Sequence, residues 1–295
     1  MKSLTRRHFL ATTSAATATW IGGTKLSAGQ PVSRNKPCRM KLGFLTSLAQ
    51  DKTIPELIDL AMTYGYEAIE FRPEWKQAHG VELSMSKAKR QETRARFVDQ
   101  GIAISAVSPG VKFLNDDRDQ QLEKLYRYIN LAADLGACCV RFFADPLPVD
   151  PVQRRESHKV QAEYQARAAQ RAWDVGVLLA LETHGNSIGV DAGEMMFLAG
   201  FPPAFRVNWH LSHSLKRGED ADTAYRHIKG RVVHVHFSFP DDTKAMKPLQ
   251  RQFELLLHDG YTGTYSLEVI RKGDNRDLLR AQAEKWKQMK AAFHV

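Results

Sequence analysis

The chain has 295 residues, 43% of them hydrophobic, which is enough to bury the core of one large α/β domain. Its formal charge of +9 depends on residues 1–36, which hold six basic side chains and no acidic one; removing those six from the 42 basic residues leaves 36 against 33 acidic ones. Three cysteines do not form a disulfide framework, and no basic tract interleaved with aromatic residues predicts a nucleic-acid partner.

The first predicted segment is a targeting signal outside the fold. Residues 5–10 (TRRHFL) resemble the twin-arginine export signal, and residues 11–23 are mildly apolar and rich in Ala and Thr. This stretch is too short and too polar to span a bilayer. We therefore expect residues 1–36 to be a signal and linker, the protein to be periplasmic or exported, and no stable membrane span to remain after processing. The alternatives are a retained membrane anchor and a basic N-terminal segment without a targeting function.

From Met40 onward, strand-like and helix-like stretches alternate without a break. The predicted strands are residues 40–46, 68–72, 102–108, 138–143, 177–182, 205–210, 231–236 and 264–268. Helical spacing of apolar residues predicts helices between them, three of which end at Gly65, Gly136 and Gly176. Later helices are predicted near residues 192–199, 220–228, 249–259 and 275–293.

Eight β/α units in about 255 residues match the usual size of one fold. The sequence therefore predicts a single (β/α)₈ TIM barrel, of the α/β class, over residues 37–295. A doubly wound open sheet is the alternative, but that fold usually has a glycine-rich first turn, and the sequence has none.

Each of the last four predicted strands ends on a residue type that binds metals: Glu182, His210, His236 and Glu268. Side chains at the C-terminal ends of barrel strands meet in one place, so we expect these four to converge. Carboxylate oxygen and neutral imidazole nitrogen suit a divalent Mn, Co, Zn or Ni ion. The alternatives are salt bridges for the glutamates, and for His210 a substrate contact or a lost metal site.

Four short motifs carry a family resemblance. LETHG contains Glu182, WHLSH contains His210 and His213, HVH ends at His236 and SLE ends at Glu268. The run from Met40 to the end resembles the sugar phosphate isomerase/epimerase group of xylose-isomerase-like barrels, which includes the ketose 3-epimerases. The resemblance implies metal ligation by Glu182, His236 and Glu268, and a substrate contact by His213.

Two positions depart from the pattern of this group. His210 stands where the group usually has Asp, so the four residues carry two negative charges instead of three, which favours a softer and more Lewis-acidic ion. Phe237, Ser238 and Phe239 replace the lysine and aspartate that often follow the seventh-strand histidine. Both changes bear on the activity more than on the fold.

Further polar residues are candidates for substrate binding. His184, His213, Arg271 and Glu70 all fall at or just beyond predicted strand ends. Each of these residues could instead have a structural role, as a hydrogen-bonded histidine or as a polar group at the barrel rim. His234 is expected to pack below His236, and Trp209 to pack against a helix.

The chemistry implied by the resemblance is proton abstraction beside a carbonyl through a cis-enediolate, with Glu182 and Glu268 as acid and base. We expect a metal-dependent isomerase or epimerase whose partner is a small carbohydrate. A lyase acting on a keto-sugar or glycoside, and a non-catalytic carbohydrate-binding barrel, are the alternatives. Because barrels of this group commonly form dimers or tetramers, a homo-oligomer is among the expected states.

Overall fold

The computed structural model describes residues 40–113, 117–144 and 146–295. The predicted signal and the domain boundary at residue 37 lie outside these ranges. Among the described helices, none has the length and apolar character needed to cross a bilayer.

Eight parallel strands, joined in sequence order, form a closed barrel. The strands are β1 Lys41–Leu45, β2 Ala68–Phe71, β3 Ala103–Val107, β4 Cys139–Phe143, β5 Leu178–Glu182, β6 Phe205–Trp209, β7 Val232–Phe237 and β8 Thr264–Leu267. Pairing of β1 with β8 closes the barrel, with Gly43 opposite Ser266. The predicted (β/α)₈ barrel is confirmed, and the open sheet is excluded.

The helices that surround the barrel are α1 Ile54–Tyr64, α2 Lys87–Asp99, α3 Arg118–Leu135, α4 Pro151–Asp174, α5 Gly189–Leu198, α6 Leu211–Lys216, α7 Ala221–Ile228, α8 Thr243–His258 and α9 Arg276–Ala292. The helix α6 is absent from the sequence prediction, because six residues are too few to show a helical period. The helix α8 begins six residues before its predicted start, because its first turns are exposed and lack an apolar stripe. Asp242 caps this early start by accepting a hydrogen bond from the Lys244 amide at 3.0 Å.

The two faces of each strand have different surroundings. Leu179 and Leu181 belong to the large core between strands and helices. Ala180, on the same face as Glu182, packs with Ala106 and Cys139 in a small cluster of its own. Small residues inside the barrel leave room for the longer polar side chains above them.

One residue of β7 faces differently from the simple alternation. Simple alternation along β7 would point Val233 outward with Val235, but Val233 packs against the inner cluster of Ala106, Cys139 and Ala180. The reason is a register shift between β6 and β7. Val207 pairs with Val232 and Asn208 with His234, so Val233 is an extra residue on its strand.

Candidate active site

The four predicted metal-binding residues lie together at the C-terminal mouth of the barrel. Glu182 ends β5, His210 follows β6, His236 lies near the end of β7 and Glu268 follows β8. One ligand atom from each residue lies within 4.8 Å of the other three. Parallel strands in a closed barrel present their last inward side chains to a common point, which accounts for this convergence.

The four groups alternate as oxygen and nitrogen around this point. Nδ1 of His236 lies 3.0 Å from Oε1 of Glu182 and 3.1 Å from Oε2 of Glu268. Nδ1 of His210 lies 3.3 Å from the same Glu182 oxygen and 3.2 Å from the same Glu268 oxygen. Neighbouring ligands of an ion with bonds of about 2.1 Å are separated by roughly 3 Å. The arrangement therefore fits a divalent ion, and the donor set suits a transition metal.

The four side chains are not equally buried. Glu182 and His236 have no exposed side-chain surface, whereas 12% of Glu268 and 14% of His210 are exposed. Only the latter two therefore offer surface to the mouth. A small molecule entering from outside would meet Glu268 and His210 first.

A buried arginine holds Glu182 on its other side. The side chain of Arg141, from β4, is fully buried, and its Nε lies 3.2 Å from Oε2 of Glu182. Burial alone would raise the pKa of Glu182, but the charges of Arg141 and His236 lower it well below its ordinary value. Glu182 is thus held as a carboxylate.

Glu70, predicted as a substrate contact, lies beneath these four residues. Its side chain is fully buried, and its carboxylate accepts hydrogen bonds from Ser108 Oγ, from His234 Nε2 at 2.8 Å and from His236 Nε2 at 3.0 Å. Burial acts to raise the pKa of Glu70, but His236 and His234 lower it well below its usual range. The structure places His234 below His236, as expected, with ring centroids 5.4 Å apart.

His236 is enclosed by carboxylates on both ring nitrogens. Burial alone would lower the pKa of this imidazole, but Glu70, Glu268 and Glu182 raise it well above its ordinary value. A metal ion would have to compete with a proton at Nδ1.

A row of histidine rings continues from His210 along the rim. The His213 ring lies 4.3 Å from that of His210 and 4.4 Å from that of His184, which in turn packs edge-on against Phe143. His213 Nδ1 accepts a hydrogen bond from the Gly185 amide at 3.0 Å. Burial, together with His210 and His184, lowers the pKa of His213 to about 4, so this ring is neutral at neutral pH.

Arg72 and Trp75 border the mouth beside Glu268. The Arg72 guanidinium lies 3.9 Å from the centre of the Trp75 ring and 3.9 Å from Oε1 of Glu268. Trp75 is 39% exposed, so one aromatic surface is available next to the exposed glutamate.

Arg271 does not join this group in the described structure. Its residue is exposed, and its backbone carbonyl accepts a hydrogen bond from Asn275 Nδ2 at 3.1 Å. Trp209 packs as predicted, fully buried and stacked on Tyr225 at 5.4 Å.

Two residues that shape the site had only an ambiguous sequence signal. Arg141 is a charged residue inside the apolar run CVRFF, and Glu70 one inside AIEF. A charge in the middle of an otherwise buried strand is costly unless it is paired, and this is the signal that identifies both.

Solved structures with the same architecture include several sugar epimerases. An L-ribulose 3-epimerase matches with a TM-score of 0.69 at 17% identity, over 86% of this chain and 96% of the other. A D-psicose 3-epimerase, solved in the presence of D-fructose, matches with a TM-score of 0.64 at 18% identity, over 84% and 90%. A 3-keto-D-glucoside 4-epimerase from E. coli matches with a TM-score of 0.65 at 16% identity, over 86% and 99%. At these identities the likeness shows the fold alone.

No curated protein sequence matches this chain significantly. A family model does match, across residues 58–289, which is most of the described barrel and includes all four residues at its mouth. The match spans more than half of the chain, so the protein belongs to the xylose isomerase-like TIM barrel family.

Proposed function

We propose that this protein is a metal-dependent sugar isomerase or epimerase that removes a proton next to a carbonyl and proceeds through a cis-enediolate. The observation that carries the proposal is the ring of two carboxylates and two imidazoles at the barrel mouth, in a family fold that sugar epimerases share.

Glu182, His210, His236 and Glu268 would hold the ion, a divalent Mn, Co, Zn or Ni. A bound dication would act as a Lewis acid that polarises the substrate carbonyl. Arg141 keeps Glu182 ionised, and Glu70 occupies the far side of His236. The protein's own side chains thus supply both the ligands and their supports.

Glu268 is the better placed of the two glutamates to act as the base. It is partly exposed at the mouth, and the nearest guanidinium nitrogen, Nη1 of Arg72, lies 3.9 Å from its Oε1 atom, whereas Arg141 lies 3.2 Å from Glu182. Its carboxylate would take the proton from the carbon next to the carbonyl, while the C–H electron pair moves toward the carbonyl oxygen. Return of a proton from the opposite face would invert the carbon, and return at the neighbouring carbon would isomerise the sugar. We assign that return to Glu182, which would first have to gain a proton, because Arg141 and His236 hold it as a carboxylate.

The substrate we propose is a free sugar or a glycoside without a phosphate group. This choice rests on residues 1–36, which we propose to be a twin-arginine signal that directs the protein to the periplasm or beyond. His184, His213 and Trp75 would contact the sugar, because their rings border the mouth. A homo-oligomer remains an expectation.

The proposal is tested by solvent exchange. Purified protein loaded with Mn²⁺ is incubated in D₂O with candidate keto sugars, and deuterium at carbon is followed by mass spectrometry and NMR. We expect incorporation without elimination, and we expect Glu268→Gln to lower the exchange rate by about 10²- to 10⁴-fold, the usual contribution of a general base.

Glu284→Gln is the matched control, because Glu284 is exposed on α9, paired with Lys287 and remote from the mouth. An exchange rate in Glu268→Gln equal to that of the control would remove Glu268 from the role of base.

Elimination is the second candidate function, and the unequal burial of the two glutamates favours it. A lyase needs one accessible base for the carbon-bound proton and an acid for the leaving group, whereas epimerisation uses a group on each face of the sugar. Glu182 is buried and held by Arg141. Unsaturated or cleaved products from a keto-glycoside would establish the lyase; sugar binding without metal and without exchange would establish a binding module.

A further inference from the structure

We propose that Glu70 is a positioning residue, which fixes the His236 ring so that its Nδ1 atom faces the ion. The inference rests on the proposed function, since it concerns the same metal site. Nothing in the family resemblance assigns a role to Glu70.

The two ring nitrogens of His236 face different carboxylates, on opposite sides of the ring. Nδ1 lies 3.0 Å from Glu182 Oε1 and 3.1 Å from Glu268 Oε2, at the centre of the ring of four. Nε2 lies 3.0 Å from both oxygens of Glu70. Nδ1 is therefore the atom that would bind an ion, and Nε2 is the atom that Glu70 holds.

A carboxylate at Nε2 selects one tautomer of the ring. Neutral imidazole carries one N–H group, and an ionised carboxylate only accepts hydrogen bonds. Glu182 and Glu268 also face Nδ1, but an ion bound there would displace the proton from that nitrogen. The single N–H group of the neutral ring would then lie on Nε2, where Glu70 accepts it. Carboxylate–histidine–metal arrangements of this kind orient the ring and raise the basicity of the ligand nitrogen.

The surroundings of Glu70 hold it for this purpose. Ser108, which directly follows β3, and His234, in β7, donate hydrogen bonds to its oxygens, and these bonds fix the carboxylate while it faces His236. Replacing a buried ionic group by an apolar one is often neutral or stabilising, so stability alone gives weak reason for a glutamate here.

Glu70, His234 and His236 also lie close enough to bind an ion of their own. All three side chains are fully buried, and their contacts of 2.8–3.0 Å have the lengths of hydrogen bonds. Each imidazole can donate its single N–H to Glu70, and Ser108 adds a third donor. Hydrogen bonding accounts for the whole group, so we assign Glu70 a supporting role rather than that of a ligand.

The test compares Glu70→Gln with the wild-type protein. The amide keeps the shape of the side chain but loses the charge, and its NH₂ group can donate to Nε2, which favours the wrong tautomer of His236. We expect Mn²⁺ and Zn²⁺ affinities, measured by equilibrium dialysis, to fall about 10- to 100-fold. In the Zn²⁺-loaded proteins, ¹⁵N NMR of the histidine rings should show an Nε2-protonated, Nδ1-bound His236 in wild type and loss of that signature in the variant.

Glu67→Gln is the matched control, because Glu67 is exposed one residue before β2 and carries the same charge. Its metal affinities should match those of wild type. Ser108→Ala removes one donor to Glu70 without removing charge, and we expect it to weaken metal binding a few-fold. If Glu70→Gln does not fold, Ser108→Ala tests the role of Glu70 by the same two measurements, metal affinity and ¹⁵N NMR.

The outcomes separate this inference from the proposed function. A wild-type protein that binds no divalent ion overturns both. A wild-type protein that binds one ion, with unchanged affinity and an unchanged NMR signature in the variants, overturns the role of Glu70 alone. Two ions per chain, one of them lost in Glu70→Gln, would also overturn it, because Glu70 would then be a ligand itself.

Discussion

His210 stands where the family resemblance leads us to expect Asp. The structure places its Nδ1 atom where a ligand belongs, 3.3 Å from Glu182 and 3.2 Å from Glu268. The substitution of an imidazole for a carboxylate therefore changes the charge of the ring without breaking its geometry. We therefore expect this residue to influence which ion the ring of four would prefer.

His210→Asp should shift the metal preference toward Mn²⁺. A third carboxylate adds one negative charge beside the dication, and oxygen ligands suit Mn²⁺ while imidazole suits Zn²⁺. We expect the ratio of Mn²⁺ to Zn²⁺ affinity to rise by about tenfold, equivalent to ~1.4 kcal/mol. Competition dialysis measures this ratio, with His213→Gln, one helical turn away on the rim, as the control. An unchanged ratio would show that residue 210 is not a ligand.

At the scale of elements, the loop between β2 and α2 is held by a buried histidine. His79 Nδ1 accepts a hydrogen bond from the Val81 amide at 2.9 Å, and its Nε2 lies 2.9 Å from Gln77 Oε1. A neutral ring with its proton on Nε2 satisfies both contacts, whereas a second proton would break the bond from Val81. Burial lowers the pKa of His79 from 6.5 to about 4.

This histidine should make the barrel less stable in mild acid. Between pH 6.5 and about 4 the unfolded chain binds a proton at His79 and the folded protein does not, so stability falls as the pH is lowered through this window. The loss attributable to this residue should reach about 3 kcal/mol near pH 4 and be absent above pH 7. Urea unfolding at a series of pH values measures the slope.

His79→Gln should make that slope shallower, since it removes the titrating group. His258→Gln, at an exposed position on α8, is the control and should leave the slope as in wild type. Equal slopes in all three proteins would show that the loop is held by other contacts.

The strands were predictable to within two residues, because each is a short, buried, apolar run bounded by polar residues or glycine. The short helix α6 and the extra residue Val233 could not be predicted, since neither produces a periodic pattern in the sequence. The ring of four followed from the fold, because strand ends in a barrel converge. The contact of Glu70 with His236 did not, because it joins residues 166 positions apart across the barrel interior. The role assigned to Arg271 stays a prediction, since the described contacts do not bring it to the mouth.

At the scale of the whole molecule, the proposed destination can be tested through residues 1–36. Replacing Arg6 and Arg7 together by Lys should retain the precursor in the cytoplasm, because the twin-arginine pathway reads that pair. Cell fractionation and immunoblotting measure the distribution. Lys25→Gln, in the same basic segment, is the control and should not alter export. Full export of the Arg6/Arg7 variant would refute the assignment.

The N-terminal and C-terminal halves of the chain supply different kinds of residue to the barrel mouth. The second half of the chain supplies Glu182, His210, His236 and Glu268, while the first half supplies Arg141 and Glu70, which brace two of them. Replacing the first half-barrel while keeping the second would thus keep all four proposed ligands. It would still change the residues that contact Glu182 and His236. Substitutions in β2 and β4 would therefore alter the metal selectivity of the site and the basicity of its ligands without changing the four ligands themselves.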